Sequence, residues 1–206
     1  MSADKNPTIK TYDQVAKEYL KRNQDRAPIL DLLNRFTGLV YRQGVSTLPV
    51  IDVGCGPGYD AAALCKEGLQ CYGLDLSWKM LKTGTEHFGG EYIMADMSRL
   101  PFSSGIGGLW CCASLLHLHR QELPLVLEEL ARILIQNGLL CLSVKEGEGG
   151  RWTNSPFGGD AQRYFTYWKQ DELDPLIEAA GFRILFSTAD KMTEKSVWLS
   201  RIASKI

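Results

Sequence analysis

Residues 48–58 read Leu48-Pro-Val-Ile-Asp-Val-Gly-Cys-Gly-Pro-Gly58: a short apolar run, one carboxylate inside it, then three glycines at alternating positions. An apolar run of this length bounded by turn residues has the form of a buried strand, and the glycines let the chain turn sharply into a following helix. Gly54 and Gly56 keep any Cβ out of the space between the main chain and a bound group, so the segment reads as a ligand loop. Glycines at this spacing also occur in ordinary tight βα turns, and a second feature has to decide.

That feature is Asp75. It follows the next apolar run, residues 70–74, and lies 21 positions after Gly54, where a carboxylate can accept both hydroxyls of a ribose. Ser77 already offers a cap for the helix that follows, which leaves Asp75 available. Asp96, after the run 92–95, falls where an adenine would lie, although by itself it also fits a surface-loop aspartate. Loop spacing then separates two nucleoside ligands. A dinucleotide calls for G-x-G-x-x-G, with its pyrophosphate at the helix N-terminus; here the third glycine comes one residue early, at Gly58, and Tyr59 follows. Asp52, just before the loop, would repel a pyrophosphate but attract an ammonium, so a zwitterionic, cationic ligand suits the site better than a nicotinamide dinucleotide.

Outward from the loop, strand-like runs at 49–53, 70–74, 92–95, 109–113 and 139–144 alternate with helical stretches at 61–66, 78–87 and 121–135. Leu123, Leu127, Leu130 and Leu134 share one face of the last. Strands apolar on both faces, separated by helices, make a parallel sheet covered on both sides, a doubly wound α/β fold. Ile29, Leu32, Leu33, Phe36 and Val40 mark an amphipathic helix ending near Gly44, with a shorter helix over 11–22 ahead of it. After Val144 comes a long polar, glycine-containing loop, then a helix through Leu173, Leu176, Ile177 and Ala180 closed by Gly181. Segments 182–187 and 196–203 read as a terminal β-hairpin or antiparallel edge pair.

The 206 residues suffice for one domain with a sizeable core, and 45% hydrophobic with 23% charged residues is ordinary for a folded chain. With 23 Lys+Arg against 24 Asp+Glu there is no global positive field, which argues against nucleic-acid binding. Cys55, Cys65, Cys71, Cys111, Cys112 and Cys141 contain no C-x-x-C pair and read as buried reduced thiols. Residues 1–10 are polar, and the longest near-apolar stretch, 109–116, is far too short for a bilayer, so a cytoplasmic protein with no membrane partner is expected.

On these residues the sequence resembles the class I S-adenosylmethionine-dependent methyltransferases, especially small bacterial members. Asp52-Val-Gly-Cys-Gly-Pro-Gly58 is similar to the family's D-x-G-x-G-x-G loop, and Gly73-Leu-Asp-Leu-Ser77 to its ribose motif. Ala95-Asp-Met97 with Leu100-Pro-Phe102 resembles its adenine segment, 127–140 its L-x-E-L-x-R-x-L-x-x-G-G-x-L stretch, and Tyr12-Asp-Gln-Val-Ala-Lys-Glu-Tyr19 a helix that closes over the cofactor. The resemblance implies a Rossmann-like, mostly parallel seven-stranded sheet with an antiparallel C-terminal edge hairpin, and S-adenosylmethionine as cofactor. It implies that Gly54, Cys55, Gly56 and Gly58 line the methionine end with Asp52 beside them, and that Ala113 and Ser114 receive the ammonium. Asp75 and Leu76 would hold the ribose, Ala95, Asp96 and Met97 the adenine, and Tyr12 and Tyr19 the cover. Two departures stand out: Gly105-Ile-Gly-Gly replaces the Asp usual before the fourth strand, and Gln136-Asn-Gly-Leu replaces K-P-G-G.

The expected organisation is one domain over 1–206: covering helices in 1–45, the cofactor core in 48–144, a substrate lid in 145–168 and a C-terminal helix with strands in 169–206. Methyl transfer asks chiefly for alignment and exclusion of water, and a base only where the acceptor must lose a proton. His117, just past the fourth strand, is the candidate base, and a buried structural histidine is the alternative. His117 and His119 lack a third ligand at a defined spacing, so no metal is expected. Trp152, Phe157, Tyr164, Phe165, Tyr167 and Trp168 beside Arg151 and Arg163 suit a lid over an apolar or anionic acceptor, with glycines at 147, 149, 150, 158 and 159 as its joints; a structural strand over Tyr164 to Trp168, packing on the sheet, is the alternative for that half. The leading expectation is a methyltransferase acting on a small-molecule acceptor. A tRNA wobble-uridine-type RNA methyltransferase and a non-catalytic nucleoside-binding regulatory protein are the alternatives.

Overall fold

Val50–Val53 (β1) is buried along its whole length, as a strand apolar on both faces must be. It pairs in parallel with β2 (Cys71–Asp75) on one flank and β4 (Ile106–Cys112) on the other. β3 (Tyr92–Met94) joins beyond β2 and β5 (Leu134–Lys145) beyond β4, again in parallel. At the β5 edge, β9 (Ser196–Lys205) and β8 (Phe182–Thr193) add an antiparallel pair, giving the order β3-β2-β1-β4-β5-β9-β8. This computed structural model describes residues 5–157, 161–193 and 196–206. The doubly wound, mostly parallel seven-stranded sheet expected from the sequence is the fold observed.

Neighbouring residues in each strand feed two cores. On one face Leu109, Leu140 and Leu142 meet Leu127 and Leu130 of α5 (Leu123–Ile133) and Leu173 and Ile177 of α6 (Gln170–Ala179). On the other, Val50, Trp110 and Cys141 meet Phe36 and Val40 of α2 (Ala27–Arg42) and Leu64 of α3 (Tyr59–Lys66). The Gly105-Ile-Gly-Gly departure has a packing cause. A Cβ on Gly107 would stand 2.8 Å from the Val45 carbonyl, and one on Gly108 would stand 3.0 Å from the Phe36 ring, so these glycines let α2 and the turn after it lie directly on β4.

Five expectations need correction. The first helix, α1, runs Lys5–Arg22 rather than 11–22, because Pro7 falls in its first turn, where no N–H is needed. Leu134 is buried as expected but is not helical: α5 stops at Ile133, and Leu134 pairs with Ile106 as the first residue of β5. The polar loop after Val144 is largely a separate two-stranded antiparallel sheet, β6 (Gly150–Asn154) with β7 (Gln162–Thr166), and just beyond β7 the Trp168 N–H donates to the Lys145 carbonyl at the end of β5 at 3.0 Å. Gly150 lies in that sheet, where a Cβ would strike the Tyr164 hydroxyl, so it serves packing rather than hinging; Gly158 and Gly159 lie outside the described residues. All six cysteines are free, but Cys65 is exposed and Cys55 and Cys112 are only partly covered. Among the described residues, no helix is long and apolar enough to cross a membrane.

Candidate active site

The carboxyl ends of β1, β2 and β4 open onto a cavity of about 170 Å³. Gly54, at φ +74°, leaves β1 so close to β4 that a Cβ on it would lie 2.3 Å from Ser114 Cβ. Gly56, at φ +55°, is different: a Cβ there would meet only Tyr19, at 3.9 Å, and would otherwise project into open space. Both glycines line the cavity. Gly58 does not, and its missing side chain makes room for Tyr92, whose hydroxyl would be 2.3 Å from a Cβ.

Asp75, at the end of β2, clasps this loop. Its Oδ2 accepts from the Gly56 N–H and its Oδ1 from the Ser77 N–H, each at 2.8 Å. Burial raises its pKa against the lowering effect of those N–H donors. Asp52 accepts from the Ala61 N–H at 3.0 Å, which seats the first turn of α3 beneath the loop. Burial and then the charge of Asp60 push the Asp52 carboxyl well above the usual range; a cation in the cavity would favour its ionised form. Asp60 in turn is ion-paired with Arg26 and accepts from the Trp110 indole at 2.9 Å. Leu76, Ala95, Asp96, Met97 and Cys55 line the same cavity, and Asp96 accepts from the N–H and hydroxyl of Ser98 at 2.9 and 2.8 Å.

Where β4 ends, Ala113 takes φ +58°, a left-handed conformation that costs a residue with a Cβ and is often found at functional sites. Ser114 follows it into the cavity wall, and among the described residues its buried hydroxyl has no hydrogen-bond partner. A buried polar atom left open beside a cavity is the kind of group a bound ligand satisfies.

His117 closes the short 3-10 turn Leu115–His117 and also lines the cavity. Its Nδ1 is 2.6 Å from the Tyr164 carbonyl, which can only accept, so Nδ1 carries the proton. The bare Nε2 then accepts from the Tyr12 hydroxyl at 2.7 Å. Burial lowers the pKa of His117 to about 4, opposed by the Tyr164 carbonyl and reinforced by Arg163 and Lys145, so the ring is neutral near pH 7. His119 stacks on Tyr164, 4.2 Å between ring centroids, and lies outside the cavity lining. Among the described residues, no group of three or more His, Cys, Asp or Glu is placed to hold a metal ion.

Helix α1 roofs the cavity, and the β6–β7 sheet holds α1 in place. Thr11 donates to the Gln162 carbonyl at 2.7 Å, the Tyr164 N–H donates to the Thr8 hydroxyl at 3.1 Å, and Tyr19 packs on Phe157 with ring centroids 5.2 Å apart. Asp13 fastens α1 to the N-terminus of α4 (Trp78–Phe88) by accepting from the Ser77 hydroxyl at 2.6 Å and the Lys79 N–H at 3.1 Å. Sequence reasoning missed the contributions of Thr8, Arg26, Asp60 and Met80 to the lining. Of these only Asp60 carried a signal, an acid in the first turn of the helix that opens at the glycine loop.

Residues 51–142 match the family described as Methyltransferase domain. The match spans somewhat under half of the chain. An uncharacterized methyltransferase of Mycobacterium sp. (strain JLS) is 32% identical over 111 residues, 53% of this chain and 41% of that one. A malonyl-[acyl-carrier protein] O-methyltransferase of Hamiltonella defensa is 30% identical over 103 residues, 46% and 36% of the two chains. The chain thus spans about two fifths of the length of the curated relatives it matches. Magnesium protoporphyrin IX methyltransferase of Synechocystis PCC 6803, solved with bound S-adenosylmethionine, superposes at TM-score 0.73 and 16% identity over 100% of this chain and 99% of that one. The 1,6-didemethyltoxoflavin-N1-methyltransferase of Burkholderia thailandensis superposes at 0.70 and 21% identity over 96% and 87%. At such identities the likeness is one of fold, and it takes in α1, α2 and the β8–β9 pair as well as residues 51–142.

Proposed function

We propose that the chain binds S-adenosylmethionine in the cavity at the carboxyl ends of β1, β2 and β4 and transfers its methyl group to a small-molecule acceptor. The observation that carries this reading is the clasp of Asp75 on Gly56. It holds a carboxylate that can accept from a diol beside a stretch of backbone with open space next to it. The donor set suits the group: Asp52 and the unpartnered Ser114 hydroxyl stand at the end expected for an amino acid, and Asp96 with Leu76, Ala95 and Met97 at the end expected for adenine. When bound, the cofactor supplies a methyl carbon already activated by the positive sulfonium.

The chain's own residues then align and dry the site. Gly54, Cys55 and Gly56 with Ala113 and Ser114 bind the methionine end, while Tyr12 and Tyr19 on α1 cover the cofactor and exclude water. In domain terms, 1–45 covers, 48–144 binds, 145–168 forms the acceptor lid and 169–206 completes the sheet. Because the Nε2 lone pair of His117 is filled by the Tyr12 hydroxyl, a proton leaving an acceptor reaches His117 only through Tyr12. The near-neutral charge of the chain, 23 basic against 24 acidic residues, favours a small acceptor over an RNA. Two of the similar enzymes act, by their names, on small ring systems, a porphyrin and a toxoflavin precursor.

Titration calorimetry tests the reading. S-adenosylmethionine and S-adenosylhomocysteine should bind at micromolar concentrations and NAD should not; the reverse order overturns the assignment.

A further inference from the structure

Buried and half-buried arginines in this protein meet carboxylates: Arg26 meets Asp60, Arg120 meets Glu172 and Arg201 meets Asp174. Such pairing is what a guanidinium withdrawn from water requires. Among the described residues Arg163 on β7 is the exception. Its guanidinium carbon lies 5.0 Å from the Phe165 ring centroid, 5.6 Å from Phe157 and 5.7 Å from Tyr12. Its Nη1 donates to the Tyr12 hydroxyl at 3.4 Å, and its buried Nε has no partner among the described residues. Lys145, the last residue of β5, brings its ammonium to 4.4 Å from the same Phe165 ring and 5.5 Å from Trp198. Arg151 stacks 4.4 Å over Tyr167. Among the described residues none of these three cations has a carboxylate within ion-pair distance, and the nearby Glu148 is engaged by Lys169.

Aromatic faces attract cations but carry no net charge, so they leave the mutual repulsion of Arg163 and Lys145 uncompensated. Burial first, then Arg163 and Arg151, hold the Lys145 ammonium below its ordinary pKa, which means that the charges acting on it share its sign. The cluster stands next to the cavity: the Phe165 ring centroid is 4.8 Å from that of His117, which lines it.

We propose that Arg163 and Lys145 anchor an anionic group of the acceptor, a carboxylate or a phosphate carried on an apolar or aromatic body that packs against Phe165, Phe157 and Tyr12. The identification of this ligand as the methyl acceptor rests on the methyl-transfer reading above; the anion site itself does not. A guanidinium offers a carboxylate or phosphate two parallel N–H donors, and an ammonium adds a compact charge beside it.

The test is a calorimetric titration at low ionic strength with benzoate, phenyl phosphate and benzamide, performed with and without saturating S-adenosylhomocysteine. At least one of the two anions should bind tenfold or more tightly than benzamide, and which one does so distinguishes carboxylate from phosphate. Arg163→Gln and Lys145→Gln should each remove tenfold or more of that affinity, while Arg163→Lys keeps most of it and the exposed Arg183→Gln changes nothing. Melting curves and S-adenosylhomocysteine affinity within twofold of the parent certify that the variants are folded. Benzamide binding as well as both anions, or undiminished anion binding in Arg163→Gln and Lys145→Gln, overturns the proposal. Failure of S-adenosylhomocysteine to bind while the anions still do would instead remove the methyl-transfer reading and leave the anion site standing.

Discussion

Replacing Asp75 by Ala separates a ligand clasp from a mere turn. In the folded protein the carboxylate accepts from two backbone donors, Gly56 and Ser77, both at 2.8 Å. Hydrogen bonds to a charged group contribute roughly 1.5–3 kcal/mol each. Against this stands the burial that raises the Asp75 pKa, a penalty that disappears with the side chain. Asp75 is only partly covered, so water can reach the two freed N–H groups, and the net loss of stability should be about 1–3 kcal/mol. For a chain of this size that is a fall in Tm of about 2–12 °C, well short of unfolding at 25 °C. Binding should suffer separately. Losing one hydrogen bond from a ligand hydroxyl to the carboxylate, again roughly 1.5–3 kcal/mol, weakens the Kd for S-adenosylhomocysteine by about tenfold to a few hundredfold. Asp75→Asn should fall between parent and Ala, because its carbonyl keeps one acceptor while its NH2 faces one of the backbone donors. Calorimetry for the Kd and scanning calorimetry for the Tm read the two effects independently. A folded Asp75→Ala variant with a Kd within twofold of the parent would refute the role of the clasp.

Two further variants follow from the loop and the histidine. Gly54→Ala places a Cβ 2.3 Å from that of Ser114 and should lower the Tm strongly, whereas Gly56→Ala, with nothing nearer than 3.9 Å, should lose only about 1–2 kcal/mol for its left-handed backbone yet still impair cofactor binding. Equal melting curves for the two, or unimpaired binding in Gly56→Ala, would contradict this division. His117 titrates at about 4 when folded against 6.5 ordinarily, so as pH falls the unfolded chain takes up the proton first. Its contribution to stability is therefore complete above pH 6.5 and is lost between pH 6.5 and 4. The loss is up to about 3 kcal/mol, less where cavity water reaches the ring. The unfolding free energy of the parent should fall relative to His117→Gln over that interval, measured by urea unfolding at each pH; a difference that stays constant would show that the ring is not held neutral by burial.

What could be read from the sequence was whatever depends on local period and spacing. Val50–Val53 and the glycines after it announced the strand, the turn and the cavity wall because each of those residues acts within its own few neighbours. Asp75 was legible for the same reason: its place at the end of a strand determines where its carboxylate lies. The errors came where distant chain decides. Leu134 carries helical spacing with Leu127 and Leu130, yet pairing with Ile106 draws it into the sheet. Glycines at 147, 149 and 150 suggest a loose loop, but Gly150–Thr166, Arg151–Phe165 and Trp152–Tyr164 pairing draws Gly150 and the residues after it into a strand. The Tyr12 hydroxyl on His117 Nε2 joins residues 105 apart, and no local pattern announces it.

The roof of the cavity also has an order of assembly. Helix α1 bonds to the β6–β7 sheet through Thr11 with Gln162 and Thr8 with Tyr164, pairs separated by 151 and 156 positions. At translation rates of about 5–20 residues per second, a newly made α1 waits roughly 8–30 s before these partners exist. Its contact with α4, through Val15 and Ala16 against Met80 and through Asp13 with Ser77, becomes available first and can hold it in the meantime. A nascent chain released only as far as β5 therefore carries the glycine loop and the parallel strands with their floor complete and their cover half attached. The bonds that fasten α1 to β7 become available only after nearly four fifths of the chain has been made, so the cover over this pocket is a late product of synthesis set on an early floor.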